Sequence, residues 1–155
     1  MVTTTSRNGG TKNDEYYTPP EVFETLGLRF DLDVCAPQGG VPWIPADRYY
    51  TINDNGLSQP WHGRVWMNPP YSKPGPWVDK WISHGNGIAL LPITRGNWFQ
   101  NLWNSEAGIA FMKKQNQTKF VKTNGMKLSI YAPLIAVAIG DQTHYDAIAR
   151  LGQVR

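Results

Sequence analysis

The chain is poor in the residues that most directly announce chemistry. Its 155 residues include one cysteine, Cys35, which excludes an internal disulfide and a cysteine-based zinc cluster. The histidines are His62, His84 and His144, and no two stand at a metal-ligating spacing, so no metal site is expected. Charged residues make up only 17 % of the chain and apolar residues 41 %, the balance of a folded domain rather than a disordered one. No apolar run approaches the roughly 20 residues of a membrane-spanning helix. No signal-peptide core follows Met1 either. No membrane partner is therefore expected, and a cytoplasmic setting is the default. Positive charge is only mildly in excess, at net +3. That permits a polyanionic partner without demanding one.

What the chain does have is punctuation and tryptophan: 15 Gly, 12 Pro and 7 Trp. The length suits one domain with a real core. Residues 1–13 are polar and aperiodic, which predicts a flexible tail ahead of a single domain over 14–155. In "YYTPPEVFETLG", Thr18 stands as an N-cap with Glu21 three residues on, a capping-box spacing. Pro19 falls at the first helical position, Val22, Phe23 and Leu26 form a stripe, and Gly27 is a stop. A short strand is expected in "RFDLDVCA", a loop in "PQGGVPWIPADRYYT" and a turn at "NDNGL". "PWVDKWISHG" reads as a helix, with Val78 and Ile82, and Trp77 and Trp81, at helical spacing. "GIALLPI" and "PLIAVAIG" read as strands buried on both faces. "NWFQNLWN" is a helix, and "AGIAFMKK" and "KFVK" are two strands around a polar turn. The C-terminal "THYDAIARLG" is a helix capped by Thr143 and Gly152. Strands alternating with helices predict an α/β fold with a mostly parallel central sheet flanked by helices. Ligands in such sheets sit beyond the carboxyl ends of the strands.

Two motifs lie at such ends. In "VWMNPPYS" an apolar strand stops at two prolines, which cannot donate to a ladder and which fix φ. Asn68 before the corner can accept one hydrogen bond from the exocyclic amine of a planar ring such as adenine. The Pro69 carbonyl can accept another, leaving the nitrogen lone pair to attack an electrophile. Tyr71 offers a face for stacking, and Pro70 keeps the corner stiff. In "FDLDVCA", Asp31 and Asp33 alternate with Leu32 and Val34 and so share a face. A pair of acids there is costly unless it meets water or a cationic ligand, and Asp33 at the strand end is the better candidate. Cys35 reads as a small buried residue rather than a nucleophile. Lys73, beside the corner, and Arg95, just past "LLPIT", are the expected phosphate contacts. Trp98 is a candidate border of the base pocket among aromatics that are mostly core.

Asn-Pro-Pro-Tyr after a buried strand resembles the catalytic motif of S-adenosylmethionine-dependent amino-methyltransferases. "YYTPPEVFETL" resembles their N-terminal cofactor-contacting motif, and "FDLDVCA" their first Rossmann strand. With "RYYTINDNGLSQPWHGRVWMNPPYS", "ALLPITRGNWF" and "YAPLIAVAIG", the ordered set over about residues 14–140 resembles the phage-type, Dam-like DNA N-6-adenine-methyltransferases. The resemblance implies a compact Rossmann-like methyltransferase fold and methyl transfer from S-adenosylmethionine to a flipped-out adenine in DNA, in the host cytoplasm if phage-encoded. It implies Asn68, Pro69, Pro70 and Tyr71 as the catalytic set. Tyr17, Thr18, Pro19, Asp33, Cys35, Ala36, Asp54 and Asn68 form the cofactor set, and Lys73, Arg95 and Trp98 the DNA contacts. The usual glycine-rich loop after the first strand is absent, and Gly39 and Gly40 stand too late to be an obvious substitute. Asp47 and Asp54 both stand where a ribose-binding acid is expected. With no segment spared for a separate recognition domain, relaxed sequence specificity is expected. The alternatives are a methyltransferase acting on RNA or a protein glutamine, and a non-catalytic DNA-binding module on the same scaffold.

Overall fold

The computed structural model describes residues 2–3, 15–93, 96–113, 119–122, 127–129 and 134–155. In chain order the elements are β1 (Val2–Thr3), β2 (Glu15–Tyr17), α1 (Pro20–Leu26), β3 (Phe30–Asp33) and β4 (Ala46–Tyr49), then a 3-10 turn at Gly56–Ser58. They continue with β5 (Val65–Met67), α2 (Gly75–His84), β6 (Gly87–Pro92), α3 (Asn97–Trp103), β7 (Gly108–Met112), β8 (Lys119–Lys122) and β9 (Lys127–Ser129). The last are β10 (Leu134–Ile139), α4 (Gln142–Ala149) and β11 (Gly152–Val154).

Seven strands form one sheet in the order β11-β7-β10-β6-β5-β3-β4. The pairs β4/β3, β3/β5 and β5/β6 are parallel, while β6/β10, β10/β7 and β7/β11 are antiparallel. The expected parallel sheet thus holds for four neighbouring strands. Beyond β6 every pair is antiparallel, because β10 runs against both of its neighbours and β11 against β7, so the sheet is half parallel and not mostly so.

Every residue of β5, β6 and β10 is buried, as continuous apolar strands between two helical layers must be. Alternation divides them cleanly. Trp66, Ile88, Leu90, Ala136 and Ala138 pack with Val22, Phe23 and Leu26 of α1 and Ala147 and Ile148 of α4. Val65, Met67, Ala89, Leu91, Ile135 and Val137 pack with Val78 and Trp81 of α2 and Trp98 and Leu102 of α3. On the first face, Phe23 meets Trp66 edge-on, with ring centroids 4.7 Å apart. Among the described residues no helix is long and apolar enough to cross a membrane.

Several local expectations change. α1 ends at Gly27 as expected, with φ +68° and its N–H on the Phe23 carbonyl. It does not start on a Thr18 cap: Pro19 is the N-cap residue, without a side-chain cap bond, and the Thr18 hydroxyl is engaged elsewhere. α4 is capped by Asp141, whose carboxylate accepts from the Thr143 N–H, rather than by Thr143, and Gly152 opens β11 instead of ending the helix. "ADRY", read as loop, is the edge strand β4; its four residues are exposed or half-buried, so it lacks the apolar signature of a strand. "AGIAFMKK" and "KFVK" do not pair with each other. β7 joins β10 and β11, whereas β8 joins β2 and β9 in a second, antiparallel sheet of order β1-β2-β8-β9.

At the edge opposite the strands' carboxyl ends, Arg64 ties the layers together. Its backbone N–H donates to Asp31 Oδ2 (2.7 Å), its Nη1 to the Arg29 carbonyl (3.0 Å) and its Nε to His144 Nε2 (2.7 Å). Since Nε2 accepts, His144 is held as the neutral tautomer that donates from Nδ1 to the Ile139 carbonyl (2.9 Å). Burial, reinforced by the Arg64 guanidinium, lowers the His144 pKa, against the opposing pull of the Ile139 hydrogen bond and Asp141. A histidine lowered in the fold binds its proton more readily when unfolded. Its contribution is therefore complete above about pH 6.5, the unfolded value, and is lost as pH falls below it. Melting temperature should drop between pH 7 and pH 5, by at most about 1.4 kcal/mol of stability per pH unit for this one group. In His144→Gln the drop should be visibly shallower; parallel pH profiles would show that His144 does not titrate in this range.

Candidate active site

The site forms where β5 stops. Pro69 and Pro70 end the ladder, and Asn68 is left at the carboxyl end of the sheet's interior, 2 % exposed. Its Nδ2 donates to Thr18 Oγ1 at 2.9 Å. Thr18 is 1 % exposed and comes from the segment between β2 and α1. Its carbonyl accepts from Trp43 Nε1 at 2.7 Å, and the Tyr17 and Trp43 rings lie 6.3 Å apart. The hydroxyl expected to cap α1 is instead turned to Asn68 at the Asn-Pro-Pro-Tyr corner, and Pro19, buried beside it, is the N-cap residue. Tyr71 is half-buried against the α1/α4 face and donates its hydroxyl to the Leu90 carbonyl at 3.3 Å. Burial pushes its phenol well above the ordinary range, so it acts as a neutral ring.

Asp33 ends β3 one strand away, paired in register with Trp66 and 2 % exposed. Burial raises its pKa, and the Cys35 N–H, donating to Oδ1 at 3.1 Å, works in the opposite direction. Positive charge near a buried acid favours its ionised form, so a cation placed against Asp33 would relieve the cost of burying it. Asp31, on the same strand, is spoken for by the Arg64 N–H at the other end.

Asp33 lines two adjoining hollows. The smaller is walled by Tyr17, Thr18, Pro37, Val41, Ile44, Trp66 and Asn68. The larger, about 230 Å³, is walled by Ala36, Gly39, Gly40, Val41, Pro42, Ile44, Ala46 and Tyr49. Gly39 and Gly40, which stand late in sequence for this role, reach the acid because residues 34–45 cross from β3 to β4 without a helix and fold back over the strand ends. Both have positive φ, +84° and +74°, and a Cβ on Gly40 would lie 2.9 Å from the Tyr49 ring. The signal in the sequence is the Gly-Gly pair itself, at an unusual distance from the strand.

On the α2/α3 side of the same strand ends lies a more apolar cavity of about 120 Å³, lined by Val34, Cys35, Thr51, Ile52, Asn55, Gly56, Pro70 and Trp77. Burial, with Asp33 adding to it, raises the Cys35 thiol pKa, so it is a neutral wall and not a nucleophile. Neither candidate ribose acid lines a described cavity. Asp54 Oδ2 accepts from the Thr51 N–H (2.8 Å) and hydroxyl (3.2 Å), shaping the turn that presents Thr51 and Ile52. Asp47 pairs with Arg29 at 2.8 Å on the surface. Of the expected DNA contacts, Lys73 is exposed just past the corner. Trp98 is buried in the α2/α3 core with Phe99 at its edge, and Arg95 lies outside the described residues.

The family profile described as DNA N-6-adenine-methyltransferase (Dam) matches residues 5–139. The chain is 34 % identical over 107 residues to a DNA N-6-adenine-methyltransferase of Haemophilus phage HP1 (strain HP1c1), covering 62 % of this chain and 60 % of that protein. It is 33 % identical over 110 residues to a protein of the same description from Escherichia phage T1, covering 64 % of this chain and 45 % of that one. The aligned part thus spans about half the length of these relatives. No solved structure matches. The profile match extends over most of the sequence, and the chain belongs to the DNA N-6-adenine-methyltransferase (Dam) family.

Proposed function

We propose that the chain transfers a methyl group from S-adenosylmethionine to the exocyclic amine of an adenine in DNA. The observation that carries this reading is Asn68: a buried amide at the carboxyl end of β5, held by Thr18 and bordering a hollow it shares with Asp33. Four parallel strands whose carboxyl ends carry the site, with β10 reversed beside them, support a compact Rossmann-like methyltransferase fold.

The hollows suit the cofactor by chemistry as well as by shape. Asp33 is a buried acid for a cationic ammonium or sulfonium, and the Gly39–Gly40 backbone lines the same hollow at positive φ, with no room for a Cβ on Gly40 beside Tyr49. Tyr17, Thr18 and Ala36 would wall the amino-acid part. Ile52, Pro70 and Trp77 would enclose the adenosine, with Asp54 acting indirectly by holding Thr51. When bound, S-adenosylmethionine supplies an electrophilic methyl group. The protein's own part is to place the target nitrogen. An amine inside a duplex is out of reach, so the adenine must leave the stack. Asn68 Oδ1 and the Pro69 carbonyl accept the two amine protons, which keeps the lone pair directed at the methyl carbon. Tyr71 supplies an uncharged ring face beside the base, and Pro70 keeps the corner rigid.

The charge distribution supports DNA as the partner. Between residues 107 and 140 stand Lys113, Lys114, Lys119, Lys122 and Lys127 and no acid, in a chain of net charge +3; the rest of the chain is therefore net negative. The backbone of β8 pairs with β2, Tyr17 opposite Val121, and Val121 opposite Lys127 of β9. The basic segment is thus tied to the strand that leads into Thr18. Relaxed sequence specificity belongs to the same reading.

Asn68→Ala should reduce tritium transfer to DNA by about 100-fold or more, the scale for losing one pre-organised polar group, with a far smaller loss of cofactor binding, since Asn68 only borders the smaller hollow. Near wild-type turnover would remove Asn68 from the mechanism. Transfer to RNA or to protein in place of DNA would select the alternative substrates. Asp33→Asn should weaken S-adenosylmethionine binding in calorimetry with cooperative unfolding retained; an unchanged Kd would take the acid out of the cofactor site. Replacing Lys119, Lys122 and Lys127 by Gln should flatten the plot of log binding constant against log salt by about 0.9 for each phosphate that is no longer neutralised. A wild-type slope would leave DNA attraction to charges elsewhere.

A further inference from the structure

The structure assigns Thr18 a second role: it is a positioning residue that anchors the Asn68 amide beside the substrate. This rests on the reading of Asn68 as the amine acceptor. A carboxamide is nearly symmetric in shape and opposite in hydrogen bonding at its two ends. If the amide were turned over, Asn68 would present N–H to an amine that also presents N–H, and the clamp would fail. A hydroxyl can donate as well as accept, so what Thr18 supplies is an anchor that limits the amide's motion: it accepts from Nδ2 at 2.9 Å. Both side chains are buried, at 2 % and 1 % exposure, so water does not compete freely for the bond.

Thr18 is itself held in place. Trp43 Nε1 donates to its carbonyl at 2.7 Å, and Trp43 belongs to the same 34–45 crossover that lines the larger hollow with Gly39, Gly40 and Ile44. The loop that walls the cofactor hollow, the Thr18 carbonyl, the Thr18 hydroxyl and the Asn68 amide thus form one continuous chain of interactions. A Thr18 that served only as a helix cap would turn its hydroxyl to the first turn of α1, and it does not.

The test compares Thr18→Val, which keeps the shape and removes the acceptor, with Thr18→Ser, which keeps the acceptor. At saturating cofactor and DNA, Thr18→Val should lower kcat by about tenfold, the scale of one neutral hydrogen bond, while Thr18→Ser stays close to wild type. In an Asn68→Ala background Thr18→Val should add nothing, since residues acting through one another are not additive. In the free protein, the Asn68 side-chain N–H resonances, identified by their disappearance in Asn68→Ala, should exchange slowly in wild type and quickly in Thr18→Val. An unchanged kcat, a change confined to the cofactor KM, or additive effects in the double variant would overturn the positioning role while leaving Asn68 as the acceptor. A wild-type protein inactive on DNA would instead refute the underlying functional reading, and fast Asn68 exchange in that protein would overturn the positioning interaction on its own.

Discussion

The molecule depends on where one of its fully buried strands is forced to stop. β5 has only three residues, all buried between two helical layers, and the proline pair behind it removes both the donors and the φ freedom needed to go on. A polar side chain must then sit at the edge of a core that would otherwise exclude it. A buried amide is tolerable only when it is hydrogen-bonded, and the partner comes from another part of the chain, Thr18, 50 positions earlier. The segment before α1, which packs through Val22, Phe23 and Leu26, carries that partner, and the Trp43 hydrogen bond from the crossover loop holds the same residue.

The same economy governs charge. Within the described part of the site the only buried carboxylate is that of Asp33, and burial raises its pKa. Other acids that stand near the site in sequence are spent on structure: Asp31 on the Arg64 backbone, Asp54 on Thr51 and Asp47 on Arg29. This division separates a residue that a cationic ligand would complete from residues that are already complete. It depends on partners distant in sequence, so spacing along the chain cannot reveal it.

What is legible in the sequence is whatever local pattern decides alone. The buried strands β6 and β10, the helix after the Asn-Pro-Pro-Tyr corner and the glycine stop of α1 are each set by apolar runs, helical spacing or a left-handed turn. The corner itself is legible as a site because few structural needs call for that sequence of residues. Thr18 reads wrongly as a cap because capping is a local competitor that yields to a tertiary partner. β4 escapes notice because an exposed edge strand carries no apolar code, and the pairing of β8 with β2 does so because it joins segments about a hundred residues apart. Trp98 belongs to the pocket's border by its neighbours in sequence, whereas packing between α2 and α3 claims it for the core.

The central claim is that Asn68 and Pro69 receive an adenine amine at the end of β5. The most direct measurement is a crystal structure of the chain with a non-reactive analogue of S-adenosylmethionine and an adenine-containing oligonucleotide. The account predicts a base turned out of its stack, its amine within roughly 2.7–3.2 Å of Asn68 Oδ1 and of the Pro69 carbonyl, with the Asn68 Nδ2 still on Thr18. An adenine seated elsewhere, or an Asn68 amide facing away from a correctly seated base, would contradict it.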